Sequence, residues 1–146
     1  MIELGKILVK DSSSIVEARN KIYLLAEDLK FSSMSATRLA TITSDLSRSI
    51  YQKGIESIIT VGFEERKDIA GLVLIFQGKR TDLNIKQIEF FFDNLQIVST
   101  KDGLQKIETF KYIPEPEFKP TKEFIDMEKV KLIRLSREEL FNEVKR

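Results

Sequence analysis

Residues 55–77, IESIITVGFEERKDIAGLVLIFQ, decide the fold class of this 146-residue chain. The first part is rich in β-branched residues and the part from Ile69 is almost continuously apolar, which predicts strands over 55–65 and 69–77 joined by the charged turn ERKD. A nearly continuous apolar run is typical of a central strand with at least one covered face. We therefore expect a sheet with other elements packed on it.

Two amphipathic helices are predicted before this pair of strands. Ser14 and Glu17 have the spacing of a capping box and predict the start of a helix that ends near Phe31. Ser33 or Ser35 is expected to cap a second helix, which runs to about Lys53 and stops at Gly54. Apolar residues recur every three or four positions in both: Ile15, Ala18, Ile22, Leu25 and Leu29 in the first, and Leu39, Ile42, Leu46 and Ile50 in the second.

The remaining elements complete an α/β pattern. The sequence predicts a first strand over 2–9, a short helix over 81–92, and a closing hairpin of strands 95–100 and 104–113. The turn KDG between these last strands offers Gly103 for a positive φ. The predicted fold is a two-layer sandwich with a mostly antiparallel mixed sheet and helices on one face.

We expect one domain over residues 1–113 and a C-terminal extension over 114–146. The extension opens with Pro114, Pro116 and Pro120, which interrupt regular hydrogen bonding and favour an extended connection. Ser136 to Glu139 have the spacing of a capping box and predict a helix that runs to the C-terminus. The segment between the prolines and Ser136 could pair with the domain or pack against it.

The composition excludes several classes of function. The chain has no His and no Cys, which rules out a Ser-His-Asp triad, a cysteine nucleophile, imidazole or thiolate metal sites and disulfides. Lys and Arg total 24 against 23 for Asp and Glu, so no strong overall field attracts nucleic acid. No apolar run approaches the roughly 20 residues of a membrane helix and no signal sequence is recognisable. We expect a cytoplasmic protein that binds neither nucleic acid nor membrane.

Two stretches carry a family resemblance: residues 18–54, ARNKIYLLAEDLKFSSMSATRLATITSDLSRSIYQKG, in which 41–49 match the motif of the second helix, and residues 90–113, FFFDNLQIVSTKDGLQKIETFKYI. In this order they resemble the RsbT-like anti-sigma-factor and switch serine kinases of the GHKL ATPase superfamily. The similarity covers about residues 10 to 113. It implies a Bergerat-type ATP-binding fold, with Mg-ATP as cofactor if the site is active.

The resemblance implies roles for five residues. Asp45 matches the helical glutamate that acts as a catalytic base, and Ser49 matches the asparagine that holds Mg²⁺ against the phosphates. Arg48 matches a polar contact beside the nucleotide. Gln77 and Gly78 fall where the family has its adenine-binding loop.

The chain departs from the family pattern at each part of this site. Asp45 is one methylene shorter than glutamate, and Ser49 has a hydroxyl in place of an amide oxygen that reaches further. The adenine loop retains Gly78 but lacks its acidic residue. A glycine-rich lid, whose N–H groups would hold phosphates, is missing after Asp82. We therefore expect nucleotide binding to be weak or lost, and no cofactor.

Three functions remain open. The favoured one is a regulatory module that acts by protein–protein interaction and partner switching, with a regulatory partner such as a small antagonist domain. The second is an ATP-dependent serine/threonine protein kinase in which Asp45 orients the substrate hydroxyl and Ser49 helps to hold Mg²⁺. The third is a homodimeric structural scaffold. Without the resemblance, the spacing of Asp45 and Ser49 fits an ordinary solvated helix face.

Overall fold

The computed structural model describes the backbone of residues 1–100 and 103–145, and the side chains of these residues as far as 133. The elements, in chain order, are β1 (Ile2–Val9), α1 (Ser12–Asp28), α2 (Ser33–Ile50), β2 (Ser57–Arg66), β3 (Ile69–Lys79), α3 (Ile85–Glu89), β4 (Asn94–Ser99), β5 (Leu104–Tyr112) and α4 (Lys122–Lys145). The strands form one sheet in the order β1-β2-β3-β5-β4. The predicted α/β class is confirmed.

All four strand pairings in this sheet are antiparallel, so the expectation of a mixed sheet is wrong. β2 and β3 form the hairpin expected from the opening stretch, and the central position of β3 agrees with its apolar sequence. Lys67 and Asp68 both have positive φ, 54° and 64°. Two such residues form the type I′ turn that matches the twist of adjacent strands.

The start of α1 differs from the predicted capping box. Asp11, not Ser14, caps the helix: its Oδ1 accepts a hydrogen bond of 2.8 Å from the Ser14 N–H, and the Ser14 Oγ accepts one from the Asp11 N–H. Asp and Ser are comparable N-cap residues, and the chain has the extended backbone of an N-cap at Asp11, with φ −167°. Glu17 instead forms an ion pair with Lys21, one turn further along. The helix ends with Lys30 in the left-handed region, at φ 67°.

Half of the residues of α2 are buried. Ser32 caps its N-terminus through a hydrogen bond from the Ser35 N–H, and Tyr51 leaves the helical conformation three residues before the predicted stop at Gly54. The predicted apolar stripe is buried, and Leu39, Leu46 and Ile50 are fully enclosed. This stripe packs with Ile22 and Leu29 of α1 against one face of the sheet. The other large side chains of this core are Phe63, Phe76, Ile59, Leu72, Leu74 and Ile107.

The segment after β3 is less helical than expected. α3 covers only Ile85–Glu89 and is capped by Asn84, whose side chain accepts from the Lys86 N–H. The three consecutive phenylalanines at 90–92 have different environments: Phe92 is buried in the core, whereas Phe90 is 92% exposed. Gly103 has the expected positive φ of 73° in the connection between β4 and β5. The other residues of the predicted KDG turn, 101 and 102, lie outside the described residues.

The C-terminal helix begins much earlier than predicted. α4 starts at Lys122, and its first turn is capped by Thr121, whose Oγ1 accepts a hydrogen bond of 3.1 Å from the Phe124 N–H. The predicted start at Ser136 is therefore wrong, because no proline or glycine interrupts the chain after Pro120. Phe124 packs near Phe63, with ring centroids 6.1 Å apart, and α4 contacts α1 and β1. In the described part of the chain, no helix is long and apolar enough to span a membrane.

Candidate functional site

Asp45 and Arg48 lie on the solvent side of α2, in its last two turns. Both side chains are more than half exposed, and Arg48 Nη1 is 3.5 Å from Asp45 Oδ1. The alternation of buried and exposed positions explains this placement, because Leu46 on the neighbouring stripe faces the core. Asp45 therefore presents an ion-paired carboxylate at the surface.

Ser49 is half-buried and belongs to a hydrogen-bond network at the end of α2. Its hydroxyl shares a short hydrogen bond with the hydroxyl of Thr81, just after β3. Thr81 is itself held on both sides: its N–H donates to Gln105 Oε1 at 3.0 Å, and its Oγ1 accepts from the Leu83 N–H at 3.0 Å. Gln105 is a buried residue of β5. The network ties the end of α2 to the strand connection.

Gly78 lies on the sheet where the C-terminal end of α2 approaches it closely. A Cβ at this position would lie 2.7 Å from the carbonyl oxygen of Ile50 and 2.8 Å from the Ser57 Oγ. The same Ile50 oxygen accepts a hydrogen bond of 3.1 Å from the Ser57 hydroxyl. Gly78 therefore fills the position that lets the end of α2 rest directly on β3.

Gln77 lies on the other side of the sheet. Successive side chains of a strand point to opposite faces, and Gly78 faces α2, so Gln77 points to the face that α2 does not cover. Gln77 pairs with Lys106 of β5 across that face. Asp45 and Arg48 are paired with each other, Ser49 is paired with Thr81, and Gln77 lies on the face of the sheet that α2 does not cover.

The oxygen donors near Ser49 are a poor match for Mg²⁺. This ion takes oxygen ligands in a strict octahedron and is usually held by one or two carboxylates. Ser49 is hydrogen-bonded to a second hydroxyl, and the nearest carboxylate on its helix, Asp45, is paired with Arg48. Within the described ranges, no group of three or more acidic side chains could hold a metal ion.

The outer face of α2 is a second candidate site that the sequence reasoning did not single out. We call the following residues the outer α2 face: Met34, Thr37, Arg38, Thr41, Asp45 and Arg48. Met34 is 83% exposed, and it borders a shallow depression together with Thr37, Arg38 and Thr41. The spacing of three, four and seven residues places them along one side of the helix. The signal in the sequence was a methionine outside the apolar stripe.

A charged cluster that joins α1 to α4 was also missed. Glu128 of α4 is only 2% exposed, and Lys131 Nζ lies 2.8 Å from Asp28 Oδ2 and 3.8 Å from Glu128 Oε1. Burial, followed by the hydrogen bond and charge of Asp28, raises the pKa of Glu128 to about 8. The pKa of Asp28 is lowered, because hydrogen bonds with Glu128 and Lys131 outweigh the cost of its partial burial. Asp28 and Glu128 are 100 positions apart in the chain, so local sequence patterns could not connect them.

No protein-family model matches this chain, and no curated protein matches its sequence. The resemblance to the RsbT-like kinases therefore rests on the residues quoted for it.

Proposed function

We propose that this chain is a regulatory module that acts by binding another protein, related to the RsbT-like GHKL kinases but with weak or lost ATP binding. Its partner would be a regulatory protein, such as a small antagonist domain, and its binding surface would be the outer α2 face. The observation that carries the proposal is which side chains of α2 already have hydrogen-bond or ion-pair partners within the chain. Ser49 is bonded to Thr81 and Asp45 to Arg48, while Met34 and its neighbours stand free of the core.

The loss of nucleotide binding is supported by the contacts that a ligand would have to break. A nucleotide held by Ser49 would have to compete with Thr81 for the hydroxyl, and Thr81 is held in place by the buried Gln105. Gln77 could not contribute to the same nucleotide, because it points to the opposite face of the sheet. Only residues 80–84 connect β3 to α3, which leaves a short segment in the place of a phosphate-binding lid.

Protein binding is supported by the chemistry of the outer α2 face. Methionine is flexible and polarisable, and it is frequent at surfaces that bind other proteins. Arginine is enriched at such interfaces, where its planar head can stack or form paired hydrogen bonds. Met34 and Arg38 are one turn apart on a regular helix, so a partner would meet a rigid surface.

Nucleotide binding is tested by thermal unfolding of the full chain with and without about 1 mM Mg-ATP. A site with a Kd of about 10 μM would add about 2.7 kcal/mol to the free energy of unfolding and raise Tm by roughly 8 °C. We expect no shift. A clear rise that disappears in Ser49→Ala would contradict the proposal and favour the kinase alternative.

Protein binding is tested with the purified chain as bait in native extract, without added nucleotide. We expect recovery of a regulatory protein domain from the wild type, and at least a roughly tenfold loss of recovery with Met34→Asp or Arg38→Glu. The matched control is Lys6→Glu, an exposed position on β1, which should retain binding. Equal recovery by all variants would exclude the outer α2 face as the binding surface.

A further inference from the structure

The sheet has one free edge with its hydrogen-bonding groups available. β4 is the outermost strand and pairs only with β5. The Thr100 N–H donates to the Leu104 carbonyl at 3.0 Å, which closes the pairing of positions 100 and 104. In an antiparallel pair, alternate positions exchange these bonds, so the next bonded positions on β4 are 98, 96 and 94. The N–H and C=O groups of Leu95, Ile97 and Ser99 therefore point away from β5.

This edge lacks the features by which proteins usually prevent strands from associating. Such features are charged side chains, proline, bulges and covering segments. β4 has the sequence NLQIVS, with neither charge nor proline, and its register with β5 is regular. Ile97 and Val98 are 43% and 41% exposed. The strand thus combines open backbone groups with exposed apolar side chains.

The opposite edge of the same sheet is protected. β1 carries Glu3 and Lys6, and its register with β2 shifts between Glu3 and Gly5. α4 also packs beside it: the Leu132 Cδ1 lies 3.5 Å from the position of a Cβ at Gly5. The contrast between the two edges indicates that the exposure of β4 is specific to that strand.

We propose that β4 pairs with β4 of a second copy of this chain, antiparallel and with Ile97 opposite Ile97 of the second copy. This inference does not depend on the proposed function. The two-fold axis would join the two five-stranded sheets into one sheet of ten strands. Ile97 is the middle one of the three outward-bonding positions, so this register uses Leu95, Ile97 and Ser99 on both copies.

Side-chain chemistry favours a second copy as the occupant. In this register Leu95 lies opposite Ser99 and Gln96 opposite Val98, so no like charges meet across the new pair. The adjacent strand extends the complementarity: Val98 pairs with Lys106 of its own β5, and Gln96 pairs with Glu108. The two rows in which Gln96 lies opposite Val98 therefore each have a lysine at one end and a glutamate at the other. A neutral strand flanked in this way is complementary to itself.

The absence of native cysteine allows a register-specific test by disulfide formation. Directly paired strand positions are about 5.5 Å apart at Cα, within the range that a disulfide spans. Under mild oxidation we expect Ile97→Cys to form a covalent dimer with itself. Leu95→Cys and Ser99→Cys should each form no covalent dimer alone and should cross-link when mixed.

The control for random collision is Leu8→Cys on β1, which is equally accessible and should not cross-link. Circular dichroism establishes that each variant is folded. A folded Ile97→Cys chain that stays monomeric at about 100 μM would overturn the proposal, and the edge would then be left for a strand of a different protein. Equal cross-linking of Leu8→Cys, or self-cross-linking of Leu95→Cys, would also overturn it.

A second measurement does not need oxidation. Ile97→Lys and Ile97→Glu each place like charges opposite each other at the two-fold axis, and we expect each to weaken association by about tenfold. Mixing the two variants should restore a dimer, measured by light scattering after size-exclusion chromatography. A mixture that remains as monomeric as its components, or a wild-type chain that is monomeric, would refute the pairing.

Discussion

Replacing Glu128 with glutamine should remove a pH dependence from the stability of this protein. Glu128 lies between α1 and α4 at 2% exposure, facing the Asp28 carboxylate and the Lys131 ammonium group. Its pKa is raised from 4.5 to about 8, so the folded protein keeps the proton at pH values where the unfolded chain has lost it. The unfolded state then binds fewer protons than the native state. Stability consequently falls as pH rises from about 5 to about 8.

The size of the effect follows from this difference in proton binding. The limiting slope for one proton is about 1.4 kcal/mol per pH unit. Between about pH 6 and pH 8 the loss would be at most about 2.7 kcal/mol. We expect about 2 kcal/mol, since the native state begins to release its proton near the upper limit and shares the titration with Asp28. The lowered pKa of Asp28 and the raised pKa of Lys131 act at lower and higher pH, outside this window.

Urea denaturation at several pH values measures this slope. Glu128→Gln keeps an N–H donor for the Asp28 carboxylate but does not titrate, so its stability should be nearly constant across the window. Glu123→Gln, at an exposed position in the first turn of the same helix, is the matched control and should behave as the wild type. A slope in Glu128→Gln equal to that of the wild type would refute the assignment of the proton to Glu128.

Two further substitutions test the packing of α2. Gly78→Ala should lower the free energy of unfolding by about 1 to 3 kcal/mol, because the new methyl group meets the Ile50 carbonyl oxygen. The control is Gly5→Ala, which has room for a Cβ and should change the free energy of unfolding by less than about 0.5 kcal/mol. Equal effects of the two substitutions in chemical denaturation would contradict the close approach at Gly78. Ser32→Ala should cost about 1 kcal/mol through loss of the helix cap, against little change in Ser33→Ala, and thermal or urea unfolding that does not separate the two would exclude Ser32 as the cap.

The sequence predicted the elements that have strong local signals. The apolar run of β3, the β-branched run of β2 and the stripe of α2 all correspond to observed elements, because burial of one face leaves a periodic trace in the sequence. Boundaries were less predictable. The N-cap of α1 is Asp11 and not the predicted Ser14. α4 begins at Lys122, because Pro120 is the last proline and no later residue interrupts the helix.

The candidate site depended on long-range geometry, which a single sequence does not display. Nothing in the sequence shows that Thr81 lies against Ser49, or that strand alternation turns Gln77 away from both. The cluster of Asp28, Glu128 and Lys131 likewise forms only when α4 packs against α1. Candidate functional residues could be identified from the sequence, but only the three-dimensional structure shows which of them lie close together.

The two-residue turn at Lys67 and Asp68 also has a consequence for the order of folding. It joins β2 to β3 directly, whereas 47 residues separate Val9 of β1 from Ser57, its partner on β2. Closing the short hairpin costs little chain entropy, and closing the β1–β2 pair requires both intervening helices to be compact first. We expect the hairpin to be formed in the folding transition state and β1 to join later. Substitutions in the turn would then mainly slow folding, and substitutions in β1 would mainly accelerate unfolding.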